Sequence, residues 1–175
     1  YHQFHATSMV FHTNAGAFSE AEKPAKRARV REVLVQWYER LRAEGIAMTV
    51  ENVGYPLKQN LLFDYQDFIQ LFSDLPEGIG CLIDTGHAML NQWNIVELIE
   101  TLGSRNRGYH PNNNDGIHDS HYPLYDPEGY YSPRQVDEML QAIARYSPDA
   151  DLGIEYAPDG RFTTQSLYSD IRRVV

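Results

Sequence analysis

Apolar residues recur along this chain in two alternating rhythms. Met9-Val10-Phe11, Ile46 to Val50, Cys81-Leu82-Ile83 and Leu152-Gly153-Ile154 are short solid runs that read as buried strands. A weaker strand is expected over Arg107 to His110. Between the runs the spacing changes to that of a helix. Val30, Val33, Leu34, Trp37, Tyr38 and Leu41 fall at i, i+3, i+4, i+7, i+8 and i+11, which predicts a helix over 24–44. Gly45 reads as its stop. Tyr65, Phe68, Ile69, Phe72 and Leu75 predict a second helix closed by Pro76. Ile95, Leu98, Ile99 and Leu102 predict a third, closed by Gly103. Ser132-Pro133 with Gln135 is a helix-start signal ahead of the stripe Val136, Met139, Leu140 and Ile143. Leu167, Ile171 and Val174 suggest a terminal helix. Thr13 to Gly16, Gly54 with Pro56, and the polar stretch 111–131 read as loops.

Strands alternating with helices imply a parallel sheet with right-handed crossovers. The chemistry-bearing residues are placed consistently on it. His12, Glu51, Asp84, His110 and Glu155 each stand at or just after the C-terminal end of an expected strand. In a doubly wound sheet the ligand sits at one switch point. Polar groups at the ends of nearly every strand favour a closed barrel, whose active site is built from all of those ends.

Length and charge narrow the field. The 175 residues fit one domain, read as a single unit over 1–175. Lys plus Arg is 15 against 24 for Asp plus Glu, a formal charge of −9 that argues against a general nucleic-acid binder. A single cysteine, Cys81, excludes an internal disulfide and a four-cysteine zinc site; inside an apolar strand it reads as a small buried hydrophobe. There is no apolar run of membrane-spanning length and no basic-then-apolar leader, so a cytoplasmic protein without membrane contact is expected. The chain opens on Tyr1 and in mid-pattern, so a preceding segment is expected.

Asp84-Thr85-Gly86-His87 sets a carboxylate and an imidazole three apart on a strand-to-helix turn. With Glu51, His110 and Glu155 it makes three carboxylates and two imidazoles, a donor set for Mn, Co, Zn or Mg. Clustered carboxylates repel one another unless a cation neutralises them. A lone strand-end Glu is more often an ion-pair group, and Asp with Gly often only makes a turn. Five such residues at successive strand ends are harder to explain in that way. Tyr122, Tyr125, Tyr130 and Tyr131 could wall a sugar pocket but more often such residues pack a loop, and the charges of 23–31 read as the solvated face of the first helix.

Three stretches carry a resemblance. Met48-Thr49-Val50-Glu51-Asn52, Cys81 to Ala88 with its Asp-Thr-Gly-His, and Tyr109 to Gly116 followed by Asp119-Ser120-His121 resemble the xylose-isomerase-like barrel superfamily, as does Ile154-Glu155. That superfamily includes sugar and sugar-phosphate isomerases and epimerases and the apurinic endonuclease IV group. The resemblance covers essentially the whole chain. It implies an α/β fold, a (β/α)₈ TIM-type barrel of about 250 residues. The strand ending at His12 matches the third of the family, so the first two strand-helix units would be absent and about six strands present.

By the same resemblance Glu51, Asp84, His110 and Glu155 match the ligands of one divalent ion (Mn, Co, Mg or Zn), and Glu51 and Glu155 the pair that moves protons. His87 matches a substrate contact; His12, Asn52, Asp119 and His121 are placed with it around the substrate. His12, Asp119 and His121 also match residues that hold further metal ions in the endonuclease branch. Asn113 stands where the family often has Asp. The implied activity is a metal-dependent sugar or sugar-phosphate isomerase or epimerase, working by proton transfer through a metal-stabilised enediolate. The alternatives are an endonuclease IV-like zinc phosphodiesterase acting on abasic DNA and a non-catalytic truncated barrel. The expected partner is a small sugar, with no nucleic acid, and the chain is expected to form a homo-oligomer.

Overall fold

The computed structural model describes residues 6–14, 17–55 and 60–174. Gly16 and Pro56, expected in loops, lie outside them. Five parallel strands form one sheet in the order β1-β2-β3-β4-β5: β1 Ser8–His12, β2 Ala47–Glu51, β3 Ile79–Asp84, β4 Asn106–His110 and β5 Asp151–Leu152. Each strand joins beside its predecessor and the order never reverses. A doubly wound sheet reverses at its switch point; a barrel wall does not, so the topology is that of a run of barrel units.

Among the described residues six α-helices connect and cover the strands: α1 Lys23–Ala43, α2 Tyr65–Asp74, α3 Thr85–Leu90, α4 Ile95–Leu102, α5 Pro133–Tyr146 and α6 Thr164–Val174. The expected helices fall within a few residues of these bounds. Asp64 caps α2 by accepting from the Tyr65 N–H at 2.8 Å, and Gln135 closes the start of α5 by accepting from the Ser132 N–H at 3.1 Å. Gly45 takes φ +71° after α1, the left-handed turn that ends a helix.

The core lies between sheet and helices. Phe68 and Leu71 of α2, Leu98 and Ile99 of α4, Val136 and Met139 of α5 and all six residues of β3 are buried, with Cys81 among the latter. Each such large side chain contributes about 1.5–3 kcal/mol on burial. The α1 stripe is only partly covered: Leu34 and Leu41 are buried, while Trp37 is 39% exposed beside Phe11. The reason is position. β1 and β5 are the sheet margins, each with one strand neighbour among the described residues, and Met9 and Val10 of β1 are exposed.

The described residues hold five strands where about six were expected. The stretch 111–131, expected as a loop, is organised by side chains. Asn113, fully buried, donates to the carbonyls of Leu124 and Tyr131 at 3.0 and 2.9 Å and accepts from the Asn114 and Tyr131 N–H groups. Asn114 donates to the Gly86 carbonyl at 2.7 Å. An aspartate at 113 could make neither donation, which accounts for Asn at this position.

Strand registers aim the site. His12 pairs with Glu51, Glu51 with Leu82, and Asp84 with His110. Between β3 and β4 the register shifts by one residue, from Cys81 against Asn106 to Leu82 against Gly108, leaving Arg107 as a bulge.

Candidate active site

The strand ends meet in a cleft of about 520 Å³ walled by Val10, His12, Glu51, His87, His110, Asp119, His121 and Glu155. Glu51 is buried in its wall, 4% exposed, and Asp84 lies behind it, 0% exposed. Two clusters share Asp84. One ligand atom from each of Glu51, Asp84 and His110 lies within 4.8 Å of the others, and the same holds for Asp84, His87 and His121.

In the first cluster Nδ1 of His110 stands 3.3 Å from Oε1 of Glu51, 3.4 Å from Oε2 of Glu155 and 4.0 Å from Oδ2 of Asp84. Glu155 is half exposed, so it borders the open side of the cleft. His12 approaches Glu51 from the sheet margin, Nε2 to Oε2 3.2 Å. In the second cluster Asp119 accepts from Nε2 of both His87 and His121, at 3.2 Å each.

The electrostatics follow from this crowding. Burial pushes the Asp84 carboxyl up, only partly offset by His87, His121 and Asn112. Burial would also raise Glu51, but the hydrogen bond and charge of His110, with His87 and His12, hold it below its ordinary value. Burial would lower His87, yet Asp119 and Asp84 carry it up to about 9. His121 is raised to about 9, first by its hydrogen bond to Asp119. His110 is raised too, with Glu51, Glu155 and Asp84 outweighing burial. Asp119 is held well below the carboxylate range: burial would raise it, and its bonds to His121 and His87 prevail. The carboxylates favour protons on these imidazoles, and a divalent ion would meet the same need for positive charge among them. A mixed oxygen and imidazole set on this scale fits a borderline or hard divalent cation. The ligands of such an ion would be Glu51, Asp84, His110 and Glu155.

Local sequence explains the placement. Asp84 ends β3 and caps α3, its Oδ1 accepting from the His87 N–H at 2.8 Å. The imidazole of His87 is fixed from behind, with Nδ1 2.9 Å from the Asn52 carbonyl. It also packs on Gly54, where a Cβ would stand 2.7 Å from the His87 Cα.

One expectation is corrected. Asn52 is not among the groups that line the cleft. Its side chain is fully buried and brackets the Asp84 main chain, donating to the carbonyl at 3.0 Å and accepting from the N–H at 2.8 Å. The other expected residues, except buried Asp84, all line the cleft. Sequence reading missed Asn112, which is fully buried and donates to Oδ2 of Asp84 at 3.0 Å. Its sequence signals were membership of a polar run that reads as a turn and of the stretch Tyr109 to Gly116, neither of which gives it a role.

No protein-family profile and no curated protein matches the chain. Solved structures do. A D-tagatose 3-epimerase-like protein matches with TM-score 0.67 and 20% identity over 95% of this chain and 62% of its own. D-psicose 3-epimerase from Clostridium cellulolyticum, solved with D-tagatose, matches with TM-score 0.63 and 15% identity over 94% of this chain and 56% of its own. A protein from Thermus thermophilus, soaked with ZnCl2, matches with TM-score 0.59 and 18% identity over 96% of this chain and 61% of its own. The chain thus carries the fold of the isomerase and epimerase barrels and spans less than two thirds of the length of these neighbours. No helix among the described residues is long and apolar enough to cross a membrane.

Proposed function

We propose that this chain, built on the isomerase and epimerase barrel fold, carries the site of a metal-dependent sugar or sugar-phosphate isomerase or epimerase. The observation that carries the reading is the clustering of Glu51, Asp84 and His110 at the ends of β2, β3 and β4, with Glu155 from beyond β5 3.4 Å from His110. A divalent ion held by these four residues would supply positive charge against the oxyanion that forms when a proton leaves the carbon beside a carbonyl.

The side chains divide the remaining work. Glu51 is held ionised by His110, as a carboxylate that accepts a proton must be. Glu155, half exposed and 3.4 Å from the same His110 nitrogen that Glu51 approaches, would return one. Return to the same carbon with the opposite hand gives an epimer; return to the next carbon gives an isomer. His12, His87, Asp119 and His121 line the rest of the cleft and offer polar contacts to sugar hydroxyls.

The test is incubation of the protein with Mn²⁺ or Co²⁺ and a panel of ketoses in D₂O. Deuterium should enter beside the carbonyl, and Glu155→Gln at saturating cation should slow entry by about 10²–10⁴-fold. No exchange with any ketose would overturn the reading.

A second reading has its own observation. Asp84, His87 and His121 form a further ligand cluster with Asp119 between the imidazoles. A multi-ion phosphodiesterase acting on abasic DNA would use such a cluster. The net charge of −9 disfavours a polyanionic substrate. Two or three bound ions by elemental analysis, with nicking of abasic DNA and no ketose exchange, would decide for it.

A further inference from the structure

Asn112 lies directly behind the Asp84 carboxylate. Its Nδ2 donates to Oδ2 of Asp84 at 3.0 Å and to the His110 carbonyl at 3.2 Å. The other carboxylate oxygen, Oδ1, accepts from the His87 N–H. Asp84 is therefore gripped at both oxygens, once by the first turn of α3 and once by the loop that follows β4. Asn112 is itself anchored through Thr85: its N–H donates to Oγ1 at 2.9 Å, and its carbonyl accepts from that hydroxyl at 2.6 Å.

One polar atom of this residue is left over. Oδ1 of Asn112 is buried without a hydrogen-bond partner among the described residues and faces Gly86, where a Cβ would stand 2.1 Å from it. An unpaired buried acceptor is unfavourable. Turning the amide over would be worse, because two acceptors would then face each other at Asp84 and the bond to His110 would be lost. The carboxylate thus dictates the orientation of the amide.

We propose that Asn112 is a positioning residue of the cation site: it holds Oδ2 of Asp84 toward Glu51 and His110, and so sets the affinity and coordination geometry of the ion. The inference rests on the reading of these residues as cation ligands. An amide donor steadies the buried carboxylate without adding charge and leaves an Oδ2 lone pair for the ion. Gly86 belongs to the same device, since any side chain there would displace the amide.

The test uses the full chain and three readouts: Mn²⁺ affinity by calorimetry, the visible absorption of bound Co²⁺, and thermal unfolding without cation. Asn112→Leu should weaken Mn²⁺ binding by about 10–100-fold and shift the Co²⁺ bands. Gly86→Ala, which retains every hydrogen-bonding group, should move both readouts in the same direction. Asn113→Ser, in the same loop but not touching Asp84, should lower the unfolding temperature and leave both unchanged. Unaltered Mn²⁺ affinity in Asn112→Leu overturns the proposal, as does a loss that merely follows unfolding temperature across the three variants. Should Asn112→Leu not fold, Gly86→Ala decides: normal affinity and bands overturn the proposal. A wild-type chain that binds no cation overturns the ligand reading and this inference together, whereas wild-type binding with an indifferent Asn112→Leu overturns this inference alone.

Discussion

Nδ1 of His121 donates to the main-chain carbonyl of Glu155 at 2.8 Å, across 34 positions of sequence. The bond fixes the proton on Nδ1 and leaves Nε2 facing Asp119 and the cleft. It also helps hold His121 at φ +47°, a left-handed conformation uncommon outside glycine. The His121 carbonyl in turn accepts from the Ala157 N–H, so the 119–121 turn is stapled to the segment that carries Glu155.

A pH dependence follows for the cation-free protein. His87 and His121 are raised to about 9 in the fold, against about 6.5 unfolded. Folded protein binds the more protons between these values, so the stabilisation is complete below about pH 6.5 and is lost as pH rises toward 9. The unfolding temperature should fall over that window. Cation affinity should rise over it, because an imidazolium at His87, 3.6 and 3.8 Å from the carboxylates of Glu51 and Asp84, repels a cation held there and the neutral ring does not. A flat profile in cation-free buffer would contradict both.

Asp84→Asn separates two roles of one residue. The amide oxygen can still cap α3 by accepting from the His87 N–H, and a charge with no exposed surface is removed. Cation-free stability should fall by about 1–3 kcal/mol, since the new NH2 faces the Asn112 donor where Oδ2 accepted it, while Mn²⁺ affinity drops by more than about 100-fold, beyond the loss of an outer partner. Calorimetry and thermal melts read the two effects independently.

Gly54→Ala should destabilise the fold by about 1–3 kcal/mol, since the new methyl meets the backbone of His87 and not a flexible side-chain tip. Denaturant unfolding measures this. A neutral result would mean that α3 can retreat from β2, and Mn²⁺ affinity should then change instead.

The sheet margin predicts association. Met9, Val10 and Trp37 are exposed around β1, and a strand with free edge groups invites pairing. Sedimentation of this 175-residue chain should show concentration-dependent self-association, reduced by Val10→Lys. A monodisperse monomer at all concentrations would refute it.

What the sequence disclosed and what it hid have a physical division. The stripe Ile95, Leu98, Ile99 and Leu102 foretold α4 because helical burial repeats locally, and all four are buried. The strand ends foretold His12, Glu51, Asp84 and His110 because parallel strands deliver their last residues to one rim. The six-residue α3 was too short to show a period. Asn52 and Asn112 act through partners 32 and 28 residues away, and polar type alone does not tell a buried bracket from an exposed turn. Trp37 joined the predicted stripe, but its exposure depends on what lies beyond β1, which helix spacing does not report.

The bulge at Arg107 divides β4 into two reading frames. Its foot is set by Asn106, which pairs with Cys81 and donates to the Ile99 carbonyl of α4 at 3.1 Å. Its head is set by His110 against Asp84. Had the first frame continued, Tyr109 would lie opposite Asp84 and His110 would point to the other face of the sheet, because side chains alternate strictly along a strand. One extra residue therefore works as a phase correction, decoupling how β4 is moored to its helix from which side chain it delivers to the cleft.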